Sequence, residues 1–374
     1  MHFISLQENL KKGLNIVGRV TAKNVNLPIL NNILIKTDSG NIELVSTNLE
    51  IGMVYKLRGK IENDGQFTVD SKLITEYVNL LGGGEKVELV EKNGELLVES
   101  GNYKTKIKGE SAKEFPLIPV ISKNSYYSCS PEELRKSLNS VVFSVSTSEN
   151  RVELTGVLFS FNKNKLSLAA TDSYRLAEKE LQVNCFEITE DRTAIVPAKT
   201  AQELLRVLNS FDESAIDGDL DIKIYLTENQ ILFTVDSVSL ISRLINGHYP
   251  DYKQIIPSKN QTEVLVERSE LIRAVKAAAL FSKTGINDVS LQFIKNKIIV
   301  SAFSGASGES QIEVEAEISG GDNEITINYR YLIDGLNNIE GQLVRLGVLN
   351  NNTPCLLKPE KDGSYLYIVM PIRQ

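Results

Sequence analysis

The chain has 374 residues, 42% hydrophobic and 24% charged, with a formal net charge of −7. This suits a soluble, core-bearing chain of roughly two to three domains, and the acidic balance excludes a protein that grips nucleic acid by bulk positive charge. Three scattered cysteines (Cys129, Cys185, Cys355) in no metal spacing predict inert thiols in a reducing compartment.

In chain order, one pattern is met three times. LQENLKKGLNIVGRV (Leu6–Val20) predicts a first amphipathic helix, and ILIKTDSGNIELVS (Ile33–Ser46) a strand–turn–strand unit. VDSKLITEYVNLL (Val69–Leu81) predicts a second helix, followed by the hairpin KVELVEKNGELLVES (Lys86–Ser100) with an Asn-Gly turn. LLGGGEK after that helix reads as a helix end and turn, because a phosphate-binding loop precedes a helix.

The second copy runs from PEELRKSLNSVVFSV (Pro131–Val145) through VLFSFNKNKLSLAATD and VPAKTAQELLRVL (Val196–Leu208) to IKIYLTENQILFTVD. The third runs from ERSELIRAVKAAALF (Glu267–Phe281) through LQFIKNKIIVSAF and INYRYLIDGLNNI (Ile327–Ile339) to QLVRLGVLNNNTPCLLKP. Leu10, Leu134 and Leu271 recur at steps of 124 and 137 residues, too long for a solenoid unit. Each copy is therefore read as an α+β domain with internal two-fold similarity, helices covering one face of antiparallel sheets. Proline-bearing linkers, Ser111–Glu133 and Pro250–Glu270, set boundaries at 1–125, 126–254 and 255–374.

Catalytic chemistry is not legible. His2 and His248 lie in no nucleophile–base or metal spacing, FSGASGES lacks the Lys-Ser/Thr of a phosphate loop, and Asp217, Asp219 and Asp221 share a polar turn. No enzyme activity, cofactor or metal is expected. The start MHFISLQENLKK has no basic segment before an apolar run, and no apolar stretch is long enough to cross a bilayer. A cytoplasmic protein with no membrane partner is expected.

Four segments depart from simple alternation: NLPILNNILI (Asn26–Ile35), LAATDSYRLA (Leu168–Ala177), SRLINGHYPDYKQIIP (Ser242–Pro257) and the terminal VMPIR (Val369–Arg373). In order and spacing they resemble the replicative sliding clamps, the beta subunits of DNA polymerase III, over essentially the whole chain. The resemblance implies a head-to-tail homodimer of three-domain protomers forming a six-domain ring around double-stranded DNA. It further implies a groove that receives short peptide motifs of the replicative DNA polymerase and the clamp loader.

Carried over by position, the groove comprises Leu154, Thr171, Ser173, Tyr174, Arg175, Leu176, Pro250, Gln254 and Ile255, with Tyr331, Pro354, Ile368, Met370, Pro371, Ile372 and Arg373. Gln254 and Ser173-Tyr174 stand where some relatives carry Arg and Gly-His. DNA contacts are expected from Lys11, Lys12, Lys23, Asn24, Lys72, Ser148, Arg151, Lys199, Arg206, Arg273 and Lys276, with Arg135 and Lys136 nearby. The dimer interface is expected to pair Tyr103, Lys104, Lys106 and Ile107 with Leu280, Phe281, Glu309, Glu313 and Glu315.

Overall fold

The computed structural model describes residues 1–21, 26–211, 220–283 and 285–372. Lys23, Asn24, Arg373, Asp217 and Asp219 fall outside the described residues.

The first copy runs β1 (His2–Leu6), α1 (Gln7–Val17), β2 (Asn32–Asp38), β3 (Asn41–Thr47), β4 (Ile51–Leu57), β5 (Gly59–Asn63), β6 (Gly65–Asp70), α2 (Ser71–Asn79), β7 (Lys86–Lys92), β8 (Glu95–Ser100) and β9 (Tyr103–Glu110). The second runs β10 (Tyr126–Cys129), α3 (Pro131–Val142), β11 (Gly156–Asn162), β12 (Lys165–Thr171), β13 (Arg175–Gln182), β14 (Asn184–Phe186), β15 (Arg192–Pro197), α4 (Ala198–Leu208), β16 (Ile222–Leu226), β17 (Gln230–Val235) and β18 (Val238–Arg243). The third runs β19 (Thr262–Glu267), α5 (Arg268–Ala279), β20 (Asp288–Ile294), β21 (Lys297–Ser304), β22 (Gly308–Gly320), β23 (Asn323–Asn328), α6 (Tyr329–Asn338), β24 (Leu343–Val348), β25 (Cys355–Pro359) and β26 (Tyr365–Val369). Here one long, bent β22 does the work of β4 plus β5.

Local chemistry accounts for these elements. Ser39-Gly40 and Asn93-Gly94 take positive φ at both turn positions (50° and 91°, 56° and 79°), the backbone twist that two-residue hairpins require. Asp70 accepts from the Leu73 amide at 2.7 Å and Asn328 from the Arg330 amide at 2.9 Å, capping α2 and α6. Leu10, Leu14 and Val17 form the buried stripe of α1, as Leu271, Val275 and Ala278 do in α5. Cys129 and Cys355 are buried, and burial pushes the Cys355 thiol up to about 12. Cys185, on the short β14, is exposed.

The described residues divide into two compact units: Met1–Pro131 with Asn184–Ile188 and Gln202–Leu244, and Glu132–Val183 with Thr189–Ala201 and Ile245–Gln374. Each holds one continuous antiparallel sheet, of fourteen strands in the first unit and twelve in the second. The middle copy is thus shared between them. In the first unit β4 pairs with β18, from Val238↔Tyr55 to Ser242↔Ile51. In the second β13 pairs with β26, from Arg175↔Val369 to Lys179↔Tyr365. The same junction, fourth strand of one copy against last strand of the next, is built twice.

Within the second unit α6 lies against β26 so closely that a Cβ at Gly335 would stand 2.1 Å from the Tyr367 ring. Tyr367 is fully buried, and its hydroxyl donates to the Tyr331 carbonyl at 2.8 Å. Gly335→Ala is expected to destabilise the protein by about 1–3 kcal/mol through overpacking. Chemical denaturation reads this, and an unchanged midpoint would show that the ring can yield.

Candidate functional site

The best-organised polar cluster lies in the second unit, on the tight turn between β12 and β13. Thr171 Oγ1 donates to the Arg175 carbonyl at 2.6 Å and accepts from the Ser173 amide at 3.1 Å. Asp172 Oδ1 accepts from the amides of Tyr174 and Arg175, both at 3.0 Å. The turn forces Ser173 to a φ of 77°, a cost that such locked turns tolerate. The Met370 amide donates to the Tyr174 carbonyl at 2.9 Å, so the chain end is tied to the turn.

Arg175 is the hub. Its guanidinium donates to Asp172 Oδ2 at 3.0 Å, to the Phe143 carbonyl at 3.0 Å and to Asp334 Oδ2. It also stacks on the rings of Tyr331 and Phe143, 4.8 Å and 5.6 Å from their centroids. Tyr174, 62% exposed, lies parallel to Tyr331 at 6.3 Å. Below this rim an apolar floor packs Ala169, Leu176, Tyr252, Leu356 and Ile368, with Tyr249 and Ile256 against it. Tyr249 accepts from the Thr171 amide through its hydroxyl at 3.1 Å, and the Tyr252 hydroxyl donates to the buried Glu178 carboxylate.

Of the sixteen residues expected in the groove, Thr171, Ser173, Tyr174, Arg175, Leu176, Tyr331, Ile368 and Met370 are joined here, in different layers. Leu176 and Ile368 are fully buried, so within that floor they are inner packing and offer no face of their own. Leu154 and Thr171 are buried, Met370 and Pro354 half-buried, Ile255 41% exposed. Gln254 is exposed and turned to Asp251 at 2.9 Å, on the short helical turn that Pro250 opens. Pro371 and Ile372 lead away, bridging to Ile327 and Thr326 on β23, where Ile372 lines a polar cleft with Asn323 and Asn350. Sequence reasoning missed Asp172, Asp334, Phe143, Tyr249 and Tyr252 as framework. The tyrosines were legible in HYPDY, but Asp334 lies 159 positions from Arg175 and leaves no local signal.

The described members of the expected DNA-contacting set are exposed, with the nearby Arg135 half-buried, and differ in their partners. Lys72 pairs with Glu76 at 3.8 Å, Arg206 with Glu203, and Arg273 with Glu270. Arg135 clasps Glu132 with two hydrogen bonds, and Lys136 joins at 3.1 Å. Lys11, Lys199 and Lys276 make no ion pair among the described residues, while Lys12 sits over the Phe211 ring at 5.1 Å. Exposed pairs of this kind are weak and exchangeable, so a phosphate can compete for the cation. Arg151 donates to Glu153 at 3.0 Å and to Ser173 at 3.3 Å, which brings it to the groove turn, and Ser148 caps the adjacent helical turn.

Besides the terminal strands β5, β14, β15 and β23, two strand edges are left open among the described residues. β9 pairs with β8 along its length but with β6 only through Gly109 and Glu110, leaving the second edge of Tyr103–Lys108 unpaired by any described strand. Gly308–Glu315 of β22 pairs with β21 alone, and only Ala316 onward meets β19. The first edge exposes Tyr103, Lys104 and Lys106, the second Glu309, Glu313 and Glu315. Some of this charge is met locally, by Lys104–Glu99 at 2.5 Å and Lys297–Glu313 at 2.6 Å.

Ile107 is 3% exposed and sits opposite Leu96, so its side chain belongs to its own core and only its backbone is offered at the open edge. Leu280 is 76% exposed and Phe281 half-buried. The sequence reading passed over Leu73 and Leu80 on and after α2, 51% and 78% exposed. Their signal is a spacing of seven residues, off the buried Ile74–Val78–Leu81 stripe.

Against known proteins, three family models match in succession: the DNA polymerase III beta subunit's N-terminal domain over residues 1–119, its central domain over 128–251 and its C-terminal domain over 253–373. A beta sliding clamp of Staphylococcus epidermidis is 28% identical, covering 100% of this chain and 99% of the relative. The crystal structure of the DNA polymerase III subunit beta from Pseudomonas aeruginosa is 26% identical and covers 100% of both chains with a TM-score of 0.93. That of the Thermotoga maritima beta subunit is 27% identical, with a TM-score of 0.90 over 100% of this chain and 99% of the other. With its repeat, its junctions and all three domains matched end to end, the chain belongs to the DNA polymerase III beta subunit family.

Proposed function

We propose that the chain works as a DNA sliding clamp, a non-catalytic processivity factor that encircles duplex DNA and tethers the replicative DNA polymerase. The observation that carries this is the twice-built strand junction with one half left over at each end of the series. A junction needs a fourth strand and a last strand. β4 and β18 make one and β13 and β26 another, leaving β22 without a last strand and β9 without a fourth. A second copy of the chain supplies both, head to tail, and two chains then close a ring of six domains. The acidic β22 edge and the lysine-bearing β9 edge favour that pairing over like with like. Domain limits near 125 and 254 follow the linkers.

A topological hold explains how a chain of net charge −7 can ride a polyanion. Lys11, Lys12, Lys199 and Lys276, with Lys72, Arg206 and Arg273 released from their weak pairs, would touch phosphates without reading bases, which permits sliding. Incubated with a bacterial clamp loader, ATP and nicked circular plasmid, the protein is expected to co-elute with the circle and to leave once the plasmid is linearised. Equal retention on linear DNA would mean contact binding and overturn the ring.

The groove at Thr171–Leu176 is proposed to receive peptide motifs of the polymerase and of the loader. Its support is an apolar floor under a rim rigidly oriented by Arg175, with the pliable Met370 at one side. Met370→Ala is expected to weaken a fluorescent Gln-x-x-Leu-Phe peptide about tenfold, read by anisotropy. Unchanged affinity would remove Met370 from the site.

A further inference from the structure

The groove turn has a twin in the first unit. Thr47 Oγ1 donates to the Ile51 carbonyl at 2.9 Å and accepts from the Leu49 amide at 3.0 Å, as Thr171 does with Arg175 and Ser173. Asn48 Oδ1 accepts from the amides of Glu50 and Ile51 at 3.0 and 2.7 Å, standing where Asp172 stands. Leu49 has a φ of 75°, matching the 77° of Ser173. The Arg243 amide donates to the Glu50 carbonyl at 3.0 Å, as Met370 does to Tyr174. Beside this turn the Pro116–Pro119 segment of the first linker borders a cleft of about 250 Å³, as Pro250–Ile255 borders the groove.

Its surface is not that of an inert junction. Of its lining, Leu117 is 96% exposed and Leu49 45% exposed. A leucine held at positive φ is strained, and a small polar residue would serve the turn better, so the strain keeps an apolar side chain at the cleft mouth. Arg243 is exposed at the end of β18 and makes no ion pair among the described residues, and Glu50, whose carbonyl its amide meets, lines the same cleft beside it. The cleft therefore offers an apolar slot with a free cation at one end.

We infer that the Thr47–Gly52 turn, Leu117–Ile118 and Arg243 form a second peptide-docking cleft, which takes an extended segment with two adjacent large apolar side chains preceded by an acidic one. The apolar pair seats on Leu49, Leu117 and Ile118, and the acid meets Arg243. This rests on the peptide-groove reading of the Thr171–Leu176 turn, from which the site differs in its rim: Arg243 replaces Met370 and Ile51 replaces Arg175. The two clefts then rank the same peptides differently.

The test uses full-length protein with methyl-labelled Ile, Leu, Val and Met and a spin-labelled Gln-Ser-Asp-Leu-Phe peptide. Broadening is expected at the Leu49, Leu117 and Ile118 methyls as well as at Ile255 and Met370. Leu117→Ser and Arg243→Ser should each weaken the first response about tenfold and leave the second unchanged. Leu117 is almost wholly exposed, so its replacement spares the fold, and the remaining methyl spectrum checks this. If Ile255 and Met370 broaden while the first set stays sharp at tenfold excess peptide, the second cleft is refuted and the groove stands. If only the first set responds, the cleft stands and the groove reading falls. If the first set shifts with protein concentration alone, its occupant is another copy of the chain and the peptide proposal is overturned.

Discussion

Arg175→Ala is expected to lower the unfolding free energy by about 2–4 kcal/mol and to reduce motif-peptide binding below detection. The side chain is 12% exposed and serves Asp172, Asp334 and the Phe143 carbonyl while stacked between two rings. Truncation leaves the Asp172 carboxylate, 15% exposed, without its main counter-charge, and the Tyr331 ring without its cover. The estimate stays below that for a fully buried pair because Asp334 is 47% exposed and regains water. Arg175→Lys keeps the charge but cannot serve three acceptors in one plane, so an intermediate loss is expected. Denaturant unfolding and peptide anisotropy separate the two effects. An alanine variant with native stability and affinity would show that the hub positions nothing.

Reversing one open edge is expected to dissolve the dimer. Lys104→Glu with Lys106→Glu would place acid against Glu309, Glu313 and Glu315, and like charges on directly opposed strands are repulsive. Sedimentation should shift to the monomer mass, and restoration by Glu309→Lys with Glu313→Lys would identify the facing strand. Lys104 and Lys106 already have Glu99 and Glu95 beside them, so each single reversal should act weakly and the pair strongly. Leu280→Ala with Phe281→Ala tests the apolar share of the same contact. If the charge-reversed pair and the Leu280→Ala/Phe281→Ala variant both keep the dimer mass, the subunits meet elsewhere.

The repeat, the six helices and most strands were legible because their signals are local: a stripe at helical spacing, alternation, and Asn-Gly or Ser-Gly at a hairpin. The burial of Ile107 was not legible because alternation in YKTKIK does not say which face is the core; only its partner Leu96 across the sheet does. Leu176 and Ile368 were identified by resemblance, which could not separate floor from support. Asp334 and Phe143 are joined to Arg175 by tertiary contact alone, so no window of sequence could have revealed them. The turn at Thr47–Ile51 was visible as letters, but its likeness to Thr171–Arg175 lies in hydrogen bonds that Asn48 and Asp172 make equally well.

The twice-built junction also sets how the assembly answers dilution. In the proposed ring four of six junctions lie within a chain, where the linkers hold the two strands at a fixed, high effective concentration. Only the two β9–β22 contacts depend on how much protein is present. Scarcity, salt or an opening machine would therefore all act on the same pair of seams, and the middle copy, with both its bonding strands engaged, is sheltered from each of them.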